Sequence, residues 1–163
     1  MKNPTGGSTS VMLNSIYAAQ QPQNFIYRNW DVTTTGNPYA HAVLRGYKGL
    51  DDVNYPNYHY EYLERLADAY CTGEYQNPAV IIDCNHDNSG KRPLEQPRIV
   101  NEVLGSCKRS EKIAGIIRGF MIESYIEDGN QPVDGGVFGK SITDACLGWE
   151  KSERLIYDLA EQI

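Results

Sequence analysis

Three apolar runs in this chain each end on a residue able to do chemistry. Ala42-Val43-Leu44 is followed by Arg45, the run Ala79 to Cys84 by Asn85-His86, and the run Ile116 to Ile122 by Glu123. Another carboxylate, Asp144, stands in Thr143-Asp144-Ala145-Cys146. Sites in α/β folds lie at the carboxyl ends of parallel strands, so three successive strand ends carrying a guanidinium, an imidazole and a carboxylate point to one site. The set suits an anion clamp beside a metal ion or an acid–base pair. Arg45 at a strand end favours a phosphate over a surface ion pair. His41, ahead of its strand, and His59, on a helix, read as structural or surface groups. Cys84 precedes His86 by two residues, so strand alternation puts both on one face; it is assigned to packing. Lys91 reads equally as a solvated lysine and as one facing a phosphate.

The elements that must position these groups follow from periodicity. Ser8, Thr9 and Ser10 offer caps for a helix over 11–19, which Gln20-Gln21-Pro22-Gln23 stops. Phe25-Ile26-Tyr27 and Val32-Thr33-Thr34 predict a short hairpin with Asn29-Trp30-Asp31 between them. Helical patterns cover about 58–71 and 96–107, between the apolar runs, and the chain closes on a helix over 153–163 with Leu155, Ile156, Leu159 and Ala160 on one face. The alternation is βαβαβα, the pattern of parallel strands with helical crossovers. The tyrosines at 55, 58, 60 and 62 suit packing or an interface, and Tyr125 and Trp149 are expected to pack near the site.

Composition bounds the rest. The chain has 163 residues, enough for about one domain with a real core. With 40% hydrophobic and 22% charged residues, disorder and collagen-like repeats are excluded. Fifteen Lys and Arg against 21 Asp and Glu give a net charge of −6, which argues against a nucleic-acid coat but leaves room for a local cationic pocket. No apolar run approaches the ~20 residues of a membrane span. The four cysteines show no CxxC spacing, which speaks against a zinc ribbon or disulfide scaffold; they are read as reduced thiols of a cytoplasmic protein.

At several of these residues the chain resembles a known family. Lys140 to Glu150 (KSITDACLGWE), Ile82 to Lys91 (IDCNHDNSGK), Met121-Ile122-Glu123-Ser124 with Gly129-Asn130-Gln131, and Leu44-Arg45-Gly46 resemble motifs of the microbial type I 3-deoxy-D-arabino-heptulosonate 7-phosphate synthases. Met1 to Gly6 is similar to the family's lysine-bearing segment at the end of its fifth barrel strand. The resemblance implies a (βα)8 barrel joining phosphoenolpyruvate to erythrose 4-phosphate, the entry to the shikimate pathway and aromatic amino acids. It implies a divalent metal (manganese, iron, zinc or cobalt) held by His86, Glu123 and Asp144, with a cysteine that none of the four here replaces. Lys2 and Arg45 match the residues that bind phosphoenolpyruvate, and with His86 they form the expected catalytic set. At the chain start, a frayed Lys2 and a clamping Lys2 are equally consistent with the sequence.

A full barrel takes ~250 residues. The resemblance therefore makes residues 1–163 one partial barrel domain, the C-terminal half, without the family's first-strand cysteine, its Lys-Pro-Arg-Thr grip on erythrose 4-phosphate and one phosphate arginine. The expected partner is the missing N-terminal half or a second copy. Two rival readings are an inert half barrel that only binds ligand or a partner chain, and a 3-deoxy-octulosonate 8-phosphate synthase, against which 139–150 speaks. Some members bind an aromatic amino acid as feedback inhibitor near the insertion that Phe25 and its hairpin resemble, so the resemblance allows such a pocket here, although an ordinary hairpin is the stronger reading.

Overall fold

The computed structural model describes residues 1–162. Its elements, in chain order, are α1 (Thr9–Gln20), β1 (Asn24–Tyr27), β2 (Trp30–Thr33), β3 (Ala42–Leu44), β4 (Tyr47–Lys48), β5 (Asn54–Tyr55) and α2 (Tyr60–Thr72). There follow β6 (Val80–Asp83), a single turn α3 (His86–Ser89), a 3-10 turn (Pro93–Glu95), α4 (Gln96–Arg109), α5 (Glu111–Ile116), β7 (Ile117–Met121) and α6 (Trp149–Ala160).

The frame is a parallel sheet in the order β3-β6-β7, with Ala42 opposite Val80 and Ile82 opposite Phe120. Met1–Asn3 runs parallel along the free side of β3, where Val43 donates to the Met1 carbonyl and Asn3 donates to that of Val43. Consecutive parallel strands need a crossover, and α1, α2 and α4 supply one each. The helices cover the sheet face that carries Ala42, Leu44, Val80 and Ile82, all wholly buried.

Local chemistry explains the helices. Ser8 caps α1 by accepting from the Val11 N–H. Leu63, Leu66, Ala67 and Tyr70 form the buried stripe of α2 at helical spacing. In α4, Pro97 sits in the first turn and Lys108 and Arg109 in the last, matching the helix dipole. Ser110 ends α4 and caps α5 by accepting from the Ile113 N–H.

Some expectations shift. The hairpin turn is Arg28-Asn29, both left-handed (φ 48° and 65°), as a two-residue I′ turn requires. Trp30 and Asp31 therefore lie in β2, opposite Tyr27 and Ile26. The last helix starts at Trp149, four residues before the sequence pattern suggests, and Ile156 faces solvent while Leu155 is buried. Ile163 lies outside the described residues. Tyr125 and Trp149 are not packed: they are 48% and 63% exposed. Tyr58 is buried, and Tyr55 stacks on Tyr47 at the surface. Among the described residues no helix is long and apolar enough to cross a membrane.

Candidate active site

The chain leaves the sheet abruptly after β6. Asp83 ends the strand, Cys84 turns into the hydrophobic core, and His86 takes a left-handed backbone (φ 43°) at the start of α3. That conformation is uncommon for a residue with a Cβ. It breaks the strand alternation, so Cys84 and His86 do not share a face. The residue on the His86 side is Asp83, which is 1% exposed. Its carboxylate accepts from His86 Nδ1 at 2.9 Å, from Lys2 Nζ at 3.0 Å and from the Asn85 N–H at 3.1 Å. Lys2 is thus fixed rather than frayed.

Glu123 follows β7. Its backbone is clamped by Gln96, which donates to the Glu123 carbonyl at 2.9 Å and accepts its N–H at 2.8 Å. Its carboxylate accepts from Asn85 Nδ2 at 2.5 Å. Asp144 arrives from the loop before α6, which is tied back by hydrogen bonds between Gly129 and Cys146 and between Leu147 and Glu123. One Asp144 oxygen accepts from Lys91 Nζ at 2.9 Å, and the other lies 3.8 Å from His86 Nε2. That Lys91 bond, with the charges of Lys91, His86 and Arg45 behind it, holds the Asp144 carboxyl below the usual carboxylate range. The same pairing raises Lys91. One donor atom each from His86, Glu123 and Asp144 lies within 4.8 Å of the others.

Sulfur does not join them. Burial, reinforced by the Asp83 charge, pushes the Cys84 thiol far up. Burial also raises Cys146, and the carboxylates of Glu123 and Asp144 add to it. Cys84 is packed in the hydrophobic core, and the clustered donor atoms are those of His86, Glu123 and Asp144.

Arg45 is set by buried amides. Asn3 Oδ1 accepts the Arg45 N–H at 2.9 Å and Asn57 Nδ2 at 3.1 Å, and Asn3 Nδ2 donates to the Gly46 carbonyl at 2.8 Å. Asn57 Oδ1 accepts the Gly46 N–H, and the Asn57 N–H donates to Asn88 Oδ1. Asn88 Nδ2 in turn donates to the carbonyls of Leu44 and Asp83, joining the ends of β3 and β6. The guanidinium itself is loosely held. Its Nη2 is 3.8 Å from Asp87, and its Nε is buried with no hydrogen-bond partner. A buried donor left unpaired is costly, and an incoming anion would satisfy it.

The structure therefore brings His86, Glu123 and Asp144 together and places Lys2 and Arg45 at the same end of the sheet. Lys91 is solvent-exposed and binds Asp144. His41 and His59 lie apart, on the Tyr39 carbonyl and on Glu102. Asp83, Asn85, Asn88, Asn3, Asn57 and Gln96 are the residues that sequence reasoning missed. For Asp83 a signal existed, since it too stands at the carboxyl end of a parallel strand.

Comparison with known proteins identifies the family. The family model described as "DAHP synthetase I family" matches residues 2–156. The chain belongs to this family. It is 33% identical over 171 residues to the Trp-sensitive phospho-2-dehydro-3-deoxyheptonate aldolase of Escherichia coli O6:H1, across 99% of this chain and 46% of that protein. To the Tyr-sensitive enzyme of Salmonella typhimurium it is 34% identical over 176 residues, across 99% of this chain and 45% of the relative. The solved phospho-2-dehydro-3-deoxyheptonate aldolase of Francisella tularensis SCHU S4 superposes with a TM-score of 0.83 at 29% identity, covering 99% of this chain and 47% of that one. The chain thus spans about half the length of the family members it matches.

Proposed function

We propose that these 163 residues carry the phosphoenolpyruvate- and metal-binding side of a 3-deoxy-7-phosphoheptulonate synthase. The reaction is the condensation of phosphoenolpyruvate with erythrose 4-phosphate that opens aromatic amino acid biosynthesis. The observation that carries the reading is the His86, Glu123 and Asp144 triad, its donors within 4.8 Å, beside an arginine whose buried Nε has no partner. On this reading Met1–Asn3, β3, β6 and β7 are four strands of an eight-stranded barrel, and residues 1–163 form one partial barrel domain. The setting is cytoplasmic, with reduced thiols.

One imidazole and two carboxylates fit a divalent first-row ion: manganese, iron, zinc or cobalt. Bound there, it would supply Lewis acidity toward the aldehyde oxygen of erythrose 4-phosphate. Arg45 and Lys2 neutralise the phosphate and carboxylate of phosphoenolpyruvate and fix its enol carbon for attack. Arg45 gives up only the long contact to Asp87 to do so. Lys2 keeps Asp83 as a hydrogen-bond partner while its ammonium retains two further donors.

The 46% share of the relative's length favours a second reading, in which the chain by itself binds ligand and ion without turnover. The test is product formation by the purified chain, alone and mixed with a polypeptide spanning the rest of a relative's sequence. The expected result is no turnover alone and a phosphoenolpyruvate-dependent 3-deoxy sugar acid from the mixture, lost in Arg45→Ala and His86→Ala. Turnover of the mixture that survives both substitutions refutes the assignment, and an inactive mixture supports the second reading.

A further inference from the structure

Asp83 is a buried carboxylate with two site side chains among its partners. A carboxylate out of water needs counter-charge and hydrogen bonds, and here Lys2 supplies the charge at 3.0 Å. The Asn85 N–H and His86 Nδ1 supply the remaining bonds, at 3.1 and 2.9 Å. An ionised carboxylate only accepts hydrogen bonds, so Nδ1 must carry the proton. The other nitrogen, Nε2, is then left with its lone pair on the side of Asp144, 3.8 Å away.

Resting on the metal-site reading above, we propose that Asp83 is the positioning residue of His86. It fixes the tautomer and ring orientation that present Nε2 to a divalent ion, and through Lys2 it ties that orientation to the anion-binding side of the site. Carboxylates that hold a ligand histidine in this way typically change metal affinity 10–100-fold when removed.

The experiment reads the tautomer directly. In 15N long-range correlation spectra of the metal-free full chain at about pH 8, where an ordinary histidine is neutral, the His86 ring is expected in the Nδ1–H form. Its signals are assigned by their loss in His86→Gln. In Asp83→Asn the Nδ1–H form loses its dominance, and manganese affinity falls 10–100-fold. In Asp144→Asn manganese binding also weakens, but the tautomer is unchanged. A wild-type ring in the Nε2–H form overturns the proposal, and so does an Asp83→Asn chain with the wild-type tautomer and affinity. Should Asp83→Asn not fold, the wild-type spectrum decides alone. If the wild-type chain shows the Nδ1–H form but binds no manganese, the metal reading falls while the hold of Asp83 on His86 stands.

Discussion

Asn88→Ala should be among the most damaging single changes in this chain, because one side chain closes three buried backbone groups. Its Nδ2 donates to the Leu44 carbonyl at 3.1 Å and to the Asp83 carbonyl at 2.8 Å, and its Oδ1 accepts the Asn57 N–H at 2.9 Å. Asn88 is 4% exposed, so truncation leaves those groups facing a small cavity rather than bulk water. Each buried group left unsatisfied costs about 1–3 kcal/mol. Water entering a polar cavity recovers part of that, so about 3 kcal/mol is expected, a large share of the 5–15 kcal/mol typical of a domain. The assay is urea unfolding followed by circular dichroism, with Asn101→Ala on the exposed face of α4 as the control. Asn88→Ala should also weaken phosphoenolpyruvate binding, because its side chain holds the Leu44 carbonyl beside Arg45 and the Asn57 N–H, and Asn57 in turn holds the Gly46 N–H on the other side of Arg45. A loss below about 1 kcal/mol at unchanged m-value refutes the argument that this amide tie carries the two strand ends.

Other predictions follow from single contacts. Gly46 has φ +74°, and a Cβ there would sit 2.6 Å from the Asn88 backbone nitrogen, so Gly46→Ala should cost about 2 kcal/mol or more. Gly105 in α4 has open space around it, so Gly105→Ala should be neutral or stabilise by up to about 1 kcal/mol in the same urea assay. Lys91→Met should cost at most about 1 kcal/mol, because its partner's environment is solvated. The Asp144 carboxyl is depressed by this pair, so the contribution is complete above the ordinary carboxylate value of about 3.9 and fades as pH falls through the lower folded value. The melting-temperature difference between wild type and Lys91→Met should therefore hold from about pH 7 to 5 and disappear only in stronger acid; disappearance by about pH 5 contradicts it. Iodoacetamide should label exposed Cys71 in the folded chain and reach Cys84 only after unfolding, and peptide mapping that finds Cys84 labelled at the Cys71 rate contradicts the burial argument.

Legibility in the sequence tracked how local each signal is. The strands β3, β6 and β7 are short apolar runs, and α2 and α4 carry continuous buried stripes, so periodicity finds all five. The pairs of two-residue strands β4 and β5 are too short to show a period, and α5 is hidden because Ser110 both ends one helix and caps the next. Arg45, His86 and Glu123 were readable as strand ends, whereas Asp144 comes from an irregular loop and was placed by family resemblance. The alternation rule misled at Cys84 because it holds only while the backbone stays extended, and His86 is left-handed. Asn57 and Gln96 had no signature, and Asn3 and Asn88 stood in family-like segments without a role of their own: a single amide has no period, and its meaning lies in partners up to 54 residues away.

The central claim is that His86, Glu123 and Asp144 form one divalent-cation site without a sulfur ligand. Titration of the full chain with manganese, following the free ion by electron paramagnetic resonance, tests it most directly. The expected result is weak, reversible binding at one site, abolished by His86→Ala, which removes the one nitrogen donor, and unchanged by Cys84→Ser, whose thiol is buried in the core. Binding that survives His86→Ala, or that is lost in Cys84→Ser, contradicts the account.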